Sequence, residues 1–213
     1  MKKPLASILT LAIVAASLPV TALAGDGSDP VTKNGERLKY NTPYYVKDKN
    51  LPDKGGVTFE RWGLDDFVLF ANSATDNGTP IMFENKDGAD GFIKSTDAIR
   101  IKSTNMNEPG VHYWTYDTLL NSIYLNYDNS TNHIIYGSSE DNSVGLGSFM
   151  QGSSVINEGP IAELTFIEYN GKNAEKAWME VGSYRYIYEP STGKFLLPLD
   201  DKQTPFEVME ASK

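Results

Sequence analysis

The chain has 213 residues, a formal net charge of −9, a hydrophobic fraction of 40% and no cysteine. Without cysteine, disulfides, thiol catalysis and cysteine-ligated zinc are excluded, and packing and hydrogen bonds alone must hold the fold. The acidic balance repels phosphate backbones and argues against a nucleic-acid partner; it suits either a basic protein partner or a plain solvated surface.

The first 24 residues read as a secretory signal peptide of bacterial type. Lys2 and Lys3 form a basic start, Leu5 to Val20 an apolar centre interrupted by Pro19, and Ala22-Leu23-Ala24 a small-residue cleavage site. The apolar centre falls short of the roughly 20 residues a spanning helix needs, and no later segment is apolar enough to span. The expectation is an exported protein, periplasmic or extracellular, with a loose tail over residues 25–34 and one domain over 35–213. A monomer is expected. Asn77-Gly78-Thr79 and Asn129-Ser130-Thr131 match the N-glycosylation pattern but, after such a signal, read as polar turns.

Short apolar runs with alternation and β-branched or aromatic enrichment then follow one another. They are Pro43–Val46, Gly56–Arg61, Phe67–Ala71, Pro80–Phe83, Phe92–Ile93, Ala98–Lys102, His112–Tyr116, Ser122–Tyr127 and His133–Tyr136. A last group comprises Ile161–Tyr169, Lys176–Val181, Tyr184–Tyr188, Lys194–Leu199 and Pro205–Met209. Turn residues such as Asp76-Asn77-Gly78, Asp87-Gly88 and Asn170-Gly171 separate them. Asn173 to Glu180 could also make two helical turns. The stretch Gly137 to Gly159, rich in Ser and Gly, reads as the longest loop, with Gly145-Leu146-Gly147 as a flexible linker. So many short strands predict an all-β sandwich or barrel.

A repeat favours the barrel. Thr79-Pro80-Ile81-Met82-Phe83-Glu84 is echoed by Thr204-Pro205-Phe206-Glu207-Val208-Met209-Glu210. Each copy closes a block that opens on tyrosines, Tyr44-Tyr45-Val46 or Tyr184 to Tyr188, and has a central apolar run, Phe67–Phe70 or Phe195–Leu199. The middle third, Ala98 to Tyr136, has no clean Thr-Pro copy. Three blocks of this kind suggest a β-trefoil: a six-stranded barrel capped by three hairpins around a pseudo-three-fold axis.

The opening block, Gly35-x-x-Leu38 followed by Tyr44-Tyr45-Val46, resembles the N-terminal signature of the Kunitz inhibitors of the soybean trypsin inhibitor type. Pro30 and Thr32 depart from it. Gly55-Gly56-Val57-Thr58-Phe59-Glu60 is similar to the family's second strand, Phe92-Ile93 with Ala98–Lys102 to the strands after its inhibitory loop, and Thr192–Leu197 with Pro205–Val208 to its closing hairpin. The resemblance implies a β-trefoil, no cofactor, and a protein partner, a protease, held by an exposed loop between the fourth and fifth strands. Here that interval is Glu84-Asn85-Lys86-Asp87-Gly88-Ala89-Asp90-Gly91. The residue before the attacked bond would fall at Gly88 or Ala89, where a trypsin-directed loop needs Arg or Lys. The family's loop-bracing asparagine corresponds to Tyr40, with Asn41 beside it.

Other chemistries have thinner support. His112 and His133 are the only histidines; either would need Ser138, Ser139 or Ser148 to make a nucleophilic site, and no Gly-x-Ser-x-Gly elbow exists. Asp65-Asp66, Glu140-Asp141 and Asp200-Asp201 are better read as solvated turn charges than as paired catalytic carboxylates. Asp87-Gly88-Ala89-Asp90-Gly91 lacks the ligand alternation of a calcium loop. No enzyme and no metal site are expected. The alternative to an inhibitor is a glycan- or receptor-binding trefoil, lectin-like or toxin-associated, with Trp62 as the candidate stacking aromatic.

Overall fold

The computed structural model describes the backbone of residues 29–95, 97–105, 107–117, 122–127, 131–138, 141–150, 155–158, 160–169, 172–181, 184–186, 188–189, 194–195 and 204–212. Side chains are described for these except at Trp62, Asp117 and residues 149–195. The export signal expected at residues 1–24 lies outside them.

Three blocks in chain order repeat one plan. In the first, β1 (Pro43–Asp48) and β4 (Ile81–Asn85) flank a hairpin of β2 (Val57–Trp62) and β3 (Asp65–Phe70). In the second, β5 (Ile99–Ser103) and β8 (Thr131–Gly137) flank β6 (Tyr113–Asp117) and β7 (Ser122–Asn126). In the third, β9 (Val144–Met150) and β16 (Phe206–Glu210) enclose β10 (Val155–Glu158), the long hairpin of β11 (Pro160–Tyr169) and β12 (Lys172–Val181), and the short β13 (Tyr184–Tyr186), β14 (Tyr188–Glu189) and β15 (Lys194–Phe195).

The flanking strands close on themselves. β1 pairs with β4 at Tyr44↔Ile81, β4 with β5 at Phe83↔Ile101, and β5 with β8 at Ile99↔His133. β8 pairs with β9 at Ile135↔Leu146, β9 with β16 at Val144↔Phe206, and β16 with β1 at Val46↔Val208. Closure removes the free edges at which sheets aggregate. At the cap each hairpin touches the other two: β3 meets β7 at Phe67↔Tyr124, β12 meets β3 at Trp178↔Leu69, and β12 meets β7 at Glu180↔Ser122. Six strands in a ring and three mutually paired hairpins make a β-trefoil, as the repeat predicted.

Alternation supplies the core. In β1 and β5 every second residue is buried, and Tyr44, Val46, Ile99 and Ile101 point inward with Ile81, Phe83, Phe206 and Val208. Each fully buried apolar side chain of this size contributes roughly 1.5–3 kcal/mol. Thr79-Pro80 and Thr204-Pro205 lead into β4 and β16, which flank β1 on its two sides.

Three expectations are corrected. Val144–Met150 is a barrel strand, not a linker, and Val155–Glu158 is a strand too. Gly145 of β9 is there for packing: a Cβ on it would lie 2.2 Å from the ring of its cross-strand partner Tyr136. The third block therefore opens with β9, whereas the tyrosine run contributes β13, paired with β10, and β14, paired with β15. Lys172–Val181 is strand throughout, so the helical option for Asn173 to Glu180 is discarded. From Asp29 onward the expected tail is tied down, with Leu38 N donating to Pro30 O at 3.1 Å and Lys33 N to Val208 O at 2.9 Å.

Candidate functional site

The connection between β4 and β5 spans residues 86–98 and is the candidate loop. Glu84 and Asn85, at its entry, belong to β4 and pair with Arg100 and Ile99. Asn85 starts a turn that reverses the chain: Gly88 N donates to Asn85 O at 3.1 Å and Asp87 N to Asn85 Oδ1 at 2.7 Å. Gly88 closes the turn with φ +76°, a left-handed conformation that glycine adopts freely. Lys86, Asp87, Gly88, Ala89, Asp90 and Gly91 are all exposed.

The chain re-enters at Ile93, which is wholly buried in the core. Beside it runs the N-terminal segment 38–41. Ile93 N donates to Leu38 O at 3.0 Å and Tyr40 N to Gly91 O at 2.9 Å, with Lys39 bridged to Phe92 between them. This is a short two-stranded ladder, so the descending arm of the loop is fixed by backbone bonds.

Tyr40 and Asn41 complete the brace from within. The Tyr40 hydroxyl donates to Asp97 Oδ2 at 2.5 Å and accepts from Asn85 Nδ2 at 3.2 Å, so one phenol ties the loop's two ends together. Burial, and then the bond to Asp97, push the Tyr40 phenol above its ordinary pKa, so it stays a donor. Asp97 Oδ2 also accepts from Lys94 N at 2.9 Å. Asn41 sits at φ +58°, tolerated by asparagine, with N donating to Phe83 O at 2.9 Å and Nδ2 to Asp90 Oδ1 at 2.8 Å. Both sequence-chosen support residues thus reach the loop.

One participant was missed. Phe92 is 48% exposed, and the Arg37 guanidinium lies 4.7 Å from its ring centroid and Lys39 Nζ 5.9 Å. Arg37 is itself held by Asp29 at 2.6 Å. The only signal was the alternation Arg37-Leu38-Lys39, which places two cations on the face opposite Leu38.

No protein-family model matches the chain, and no curated protein matches it in sequence. Solved structures do match. The MP-4 protein of Mucuna pruriens aligns with a TM-score of 0.60 at 15% identity, over 87% of this chain and 99% of its own. Soybean trypsin inhibitor, in its complex with porcine pancreatic trypsin, gives 0.59 at 12% identity over 85% and 98%. The chain has the fold of the Kunitz-type inhibitors. The water-soluble chlorophyll protein of Brassica oleracea, with chlorophyll b, shares this Kunitz-type fold at TM-score 0.56 and 14% identity, over 86% and 99%. The fold therefore hosts different ligands, and the choice between them rests on the site.

Elsewhere on this Kunitz-type trefoil the candidate groups are structural. His133, 1% exposed, faces the barrel interior: Nε2 donates to Trp114 O at 3.1 Å, so Nδ1 accepts from the Ser148 hydroxyl at 2.9 Å. Ser148 is 3% exposed, and a nucleophile sealed in the barrel meets no substrate. His112 lies against Tyr113 with ring centroids 4.5 Å apart and ring planes tilted by 53°, and burial lowers its pKa. Asp66 departs from the expected solvated turn charge: it is fully buried, accepts from Asn107 Nδ2 at 2.8 Å and faces Arg61 at 3.6 Å. Asp65 is exposed, and Asp141 pairs with Lys49 at 2.6 Å. Among the described residues no three His, Asp or Glu side chains converge as metal ligands. The Trp62 side chain, Ser139, Glu140, Asp200 and Asp201 lie outside the described residues.

Proposed function

We propose that this protein is an exported, non-catalytic binding protein that blocks a protease with the exposed loop from Lys86 to Gly91. The observation that carries the reading is the two-sided brace. Asn41 holds Asp90, Tyr40 holds Asn85 and Asp97, and the 38–41 ladder holds Gly91 to Ile93. A loop ordered before docking loses little further entropy on binding, which is how a small contact surface reaches high affinity. The fold shared with soybean trypsin inhibitor, solved on trypsin, supports a protein partner of this kind.

A panel of serine, cysteine and aspartic proteases tests the reading. Inhibition of at least one enzyme, lost when residues 87–90 are replaced by Gly-Ser repeats, is the expected result. No inhibition at micromolar protein would overturn it. Export is tested by N-terminal sequencing of the secreted product, expected to begin at Gly25.

A further inference from the structure

On a chain of net charge −9, three lysines converge on one cleft of about 310 Å³. It opens between the β1–β2 connection, residues 49–56, and the β3–β4 connection, residues 71–80, next to Glu207 of β16. Lys47, Lys49 and Lys54 line it together with Leu51, Pro52 and Ala74. Like charges repel, and the nearby acids do not account for the gathering. Lys47 stands opposite Glu207 across the β1–β16 pair, yet its Nζ donates to Ala74 O at 2.9 Å. Lys49 pairs with Asp141 at 2.6 Å, outside the cleft lining. Lys54 makes no ion pair or side-chain hydrogen bond among the described residues. An ammonium has three donors, so each of these lysines keeps N–H groups to offer.

Acceptors stand beside these donors. Asp48 lines the cleft and is 6% exposed. Its Oδ1 accepts from Asn50 N at 2.8 Å, whereas Oδ2 has no partner among the described residues and is not sealed from water. The Glu207 carboxylate, also in the lining, has no partner among the described residues. The walls are fixed before any ligand arrives. Gly55 N donates to Ala71 O at 2.7 Å and Gly56 N to Asp76 O at 2.8 Å. A Cβ on Gly56 would lie 1.8 Å from Asn77 O, so the two connections are pressed together backbone against backbone. Within the first connection, Leu51 N donates to Asp48 O at 3.2 Å and Lys54 N to Leu51 O at 3.0 Å. Such a cleft needs little ordering to receive a ligand.

We propose that this cleft is a second binding site and that its ligand is an acidic sugar, a pyranose ring bearing a carboxylate, such as a uronic acid. The lining selects this chemistry by elimination. Sulfate would satisfy the ammoniums but would set its charge against Asp48 and Glu207 and offer them no donor. A neutral sugar would bond to the carboxylates and leave three ammoniums without a counter-charge. A fatty acid brings a charge but no donors. A uronic acid carries one carboxylate for the lysines, hydroxyls for Asp48 and Glu207, and C–H faces for Leu51, Pro52 and Ala74. The volume lies at the small end of ligand sites, which suits a sugar ring rather than a large cofactor. The inference does not depend on the inhibitor reading, because the cleft shares no residue with the crest.

The test is calorimetric titration of the purified protein with D-galacturonate, D-glucuronate, the methyl ester of galacturonate, galactose and inorganic sulfate. At least one uronate is expected to bind saturably, and the ester, galactose and sulfate to bind at least about tenfold more weakly. Lys54→Gln removes the unpaired ammonium. Asp48→Asn keeps an acceptor for Asn50 N and turns the other oxygen into a donor. Each should weaken uronate binding about tenfold. An unchanged melting temperature in Lys54→Gln separates loss of the site from loss of the fold, and any protease inhibition should be unaltered in both variants. Three results would each overturn the assignment. They are no uronate binding at about 10 mM ligand, sulfate or the ester binding as tightly as the uronate, and undiminished uronate binding in both variants.

Discussion

His133 makes stability depend on acidity in a calculable way. Its ring is sealed in the barrel between Ser148 and the Trp114 carbonyl, and burial pushes its pKa from 6.5 down to about 4. The folded state therefore binds fewer protons than the unfolded state between those values, and stability rises with pH across that window. The contribution is fully present above pH 6.5 and is lost as the pH falls through 4. At about 1.4 kcal/mol per unit, the whole loss is roughly 3 kcal/mol, of which about 2 kcal/mol falls between pH 7 and pH 5. His112 is lowered by burial as well and acts in the same direction, whereas burial raises Asp48 and works the opposite way. The variant His133→Gln separates these contributions, since a glutamine amide keeps one donor and one acceptor and does not titrate. Urea unfolding at pH 7 and pH 5 should show a fall about 2 kcal/mol smaller in the variant than in the wild type. Equal falls in the two proteins, or a His133 ring that titrates near 6.5 by NMR, would refute the reasoning.

Three further outcomes follow from the packing. Gly145→Ala places a methyl 2.2 Å from the Tyr136 ring and should lower unfolding free energy by about 1–3 kcal/mol in urea titrations, as overpacking does. Asn107→Ala leaves the fully buried Asp66 carboxylate without its amide donor and should cost about 1–3 kcal/mol by the same measurement. Asn41→Gly keeps the left-handed backbone at φ +58° and removes one exposed bond to Asp90, so melting should barely move, while amide exchange at Ala89–Gly91 should speed up by about tenfold as the crest loosens.

The first two blocks were legible because their strands alternate cleanly: Tyr44-Tyr45-Val46 and Ile99-Arg100-Ile101 announce their inward faces residue by residue. β9 was not legible, because Gly145 and Gly147 look like linker residues until Tyr136 is seen lying across Gly145. The tyrosines from 184 to 188 misled for a related reason. Aromatic richness marks a strand, but it does not say whether the strand sits in the barrel or beside it. The loop's position and its support at Tyr40 and Asn41 were expectations implied by the family resemblance, not by any local pattern. The tie from Tyr40 to Asp97 spans 57 residues, and the stacking of Arg37 on Phe92 nearly as many. Such pairings come from barrel closure, which no local pattern encodes. Asp66 likewise read as a turn charge because its amide donor Asn107 comes from the second block, 41 residues on, while Arg61 faces it from across the β2–β3 hairpin.

The central claim, that the braced crest is the surface that meets a protease, is tested most directly by hydrogen–deuterium exchange on the complex with the enzyme most strongly inhibited. Slowed exchange confined to residues 86–92 and the 39–41 segment behind them is the predicted result. Unchanged exchange there, with new protection at the β2–β3 hairpin tip around Gly63 and Leu64 instead, would contradict it.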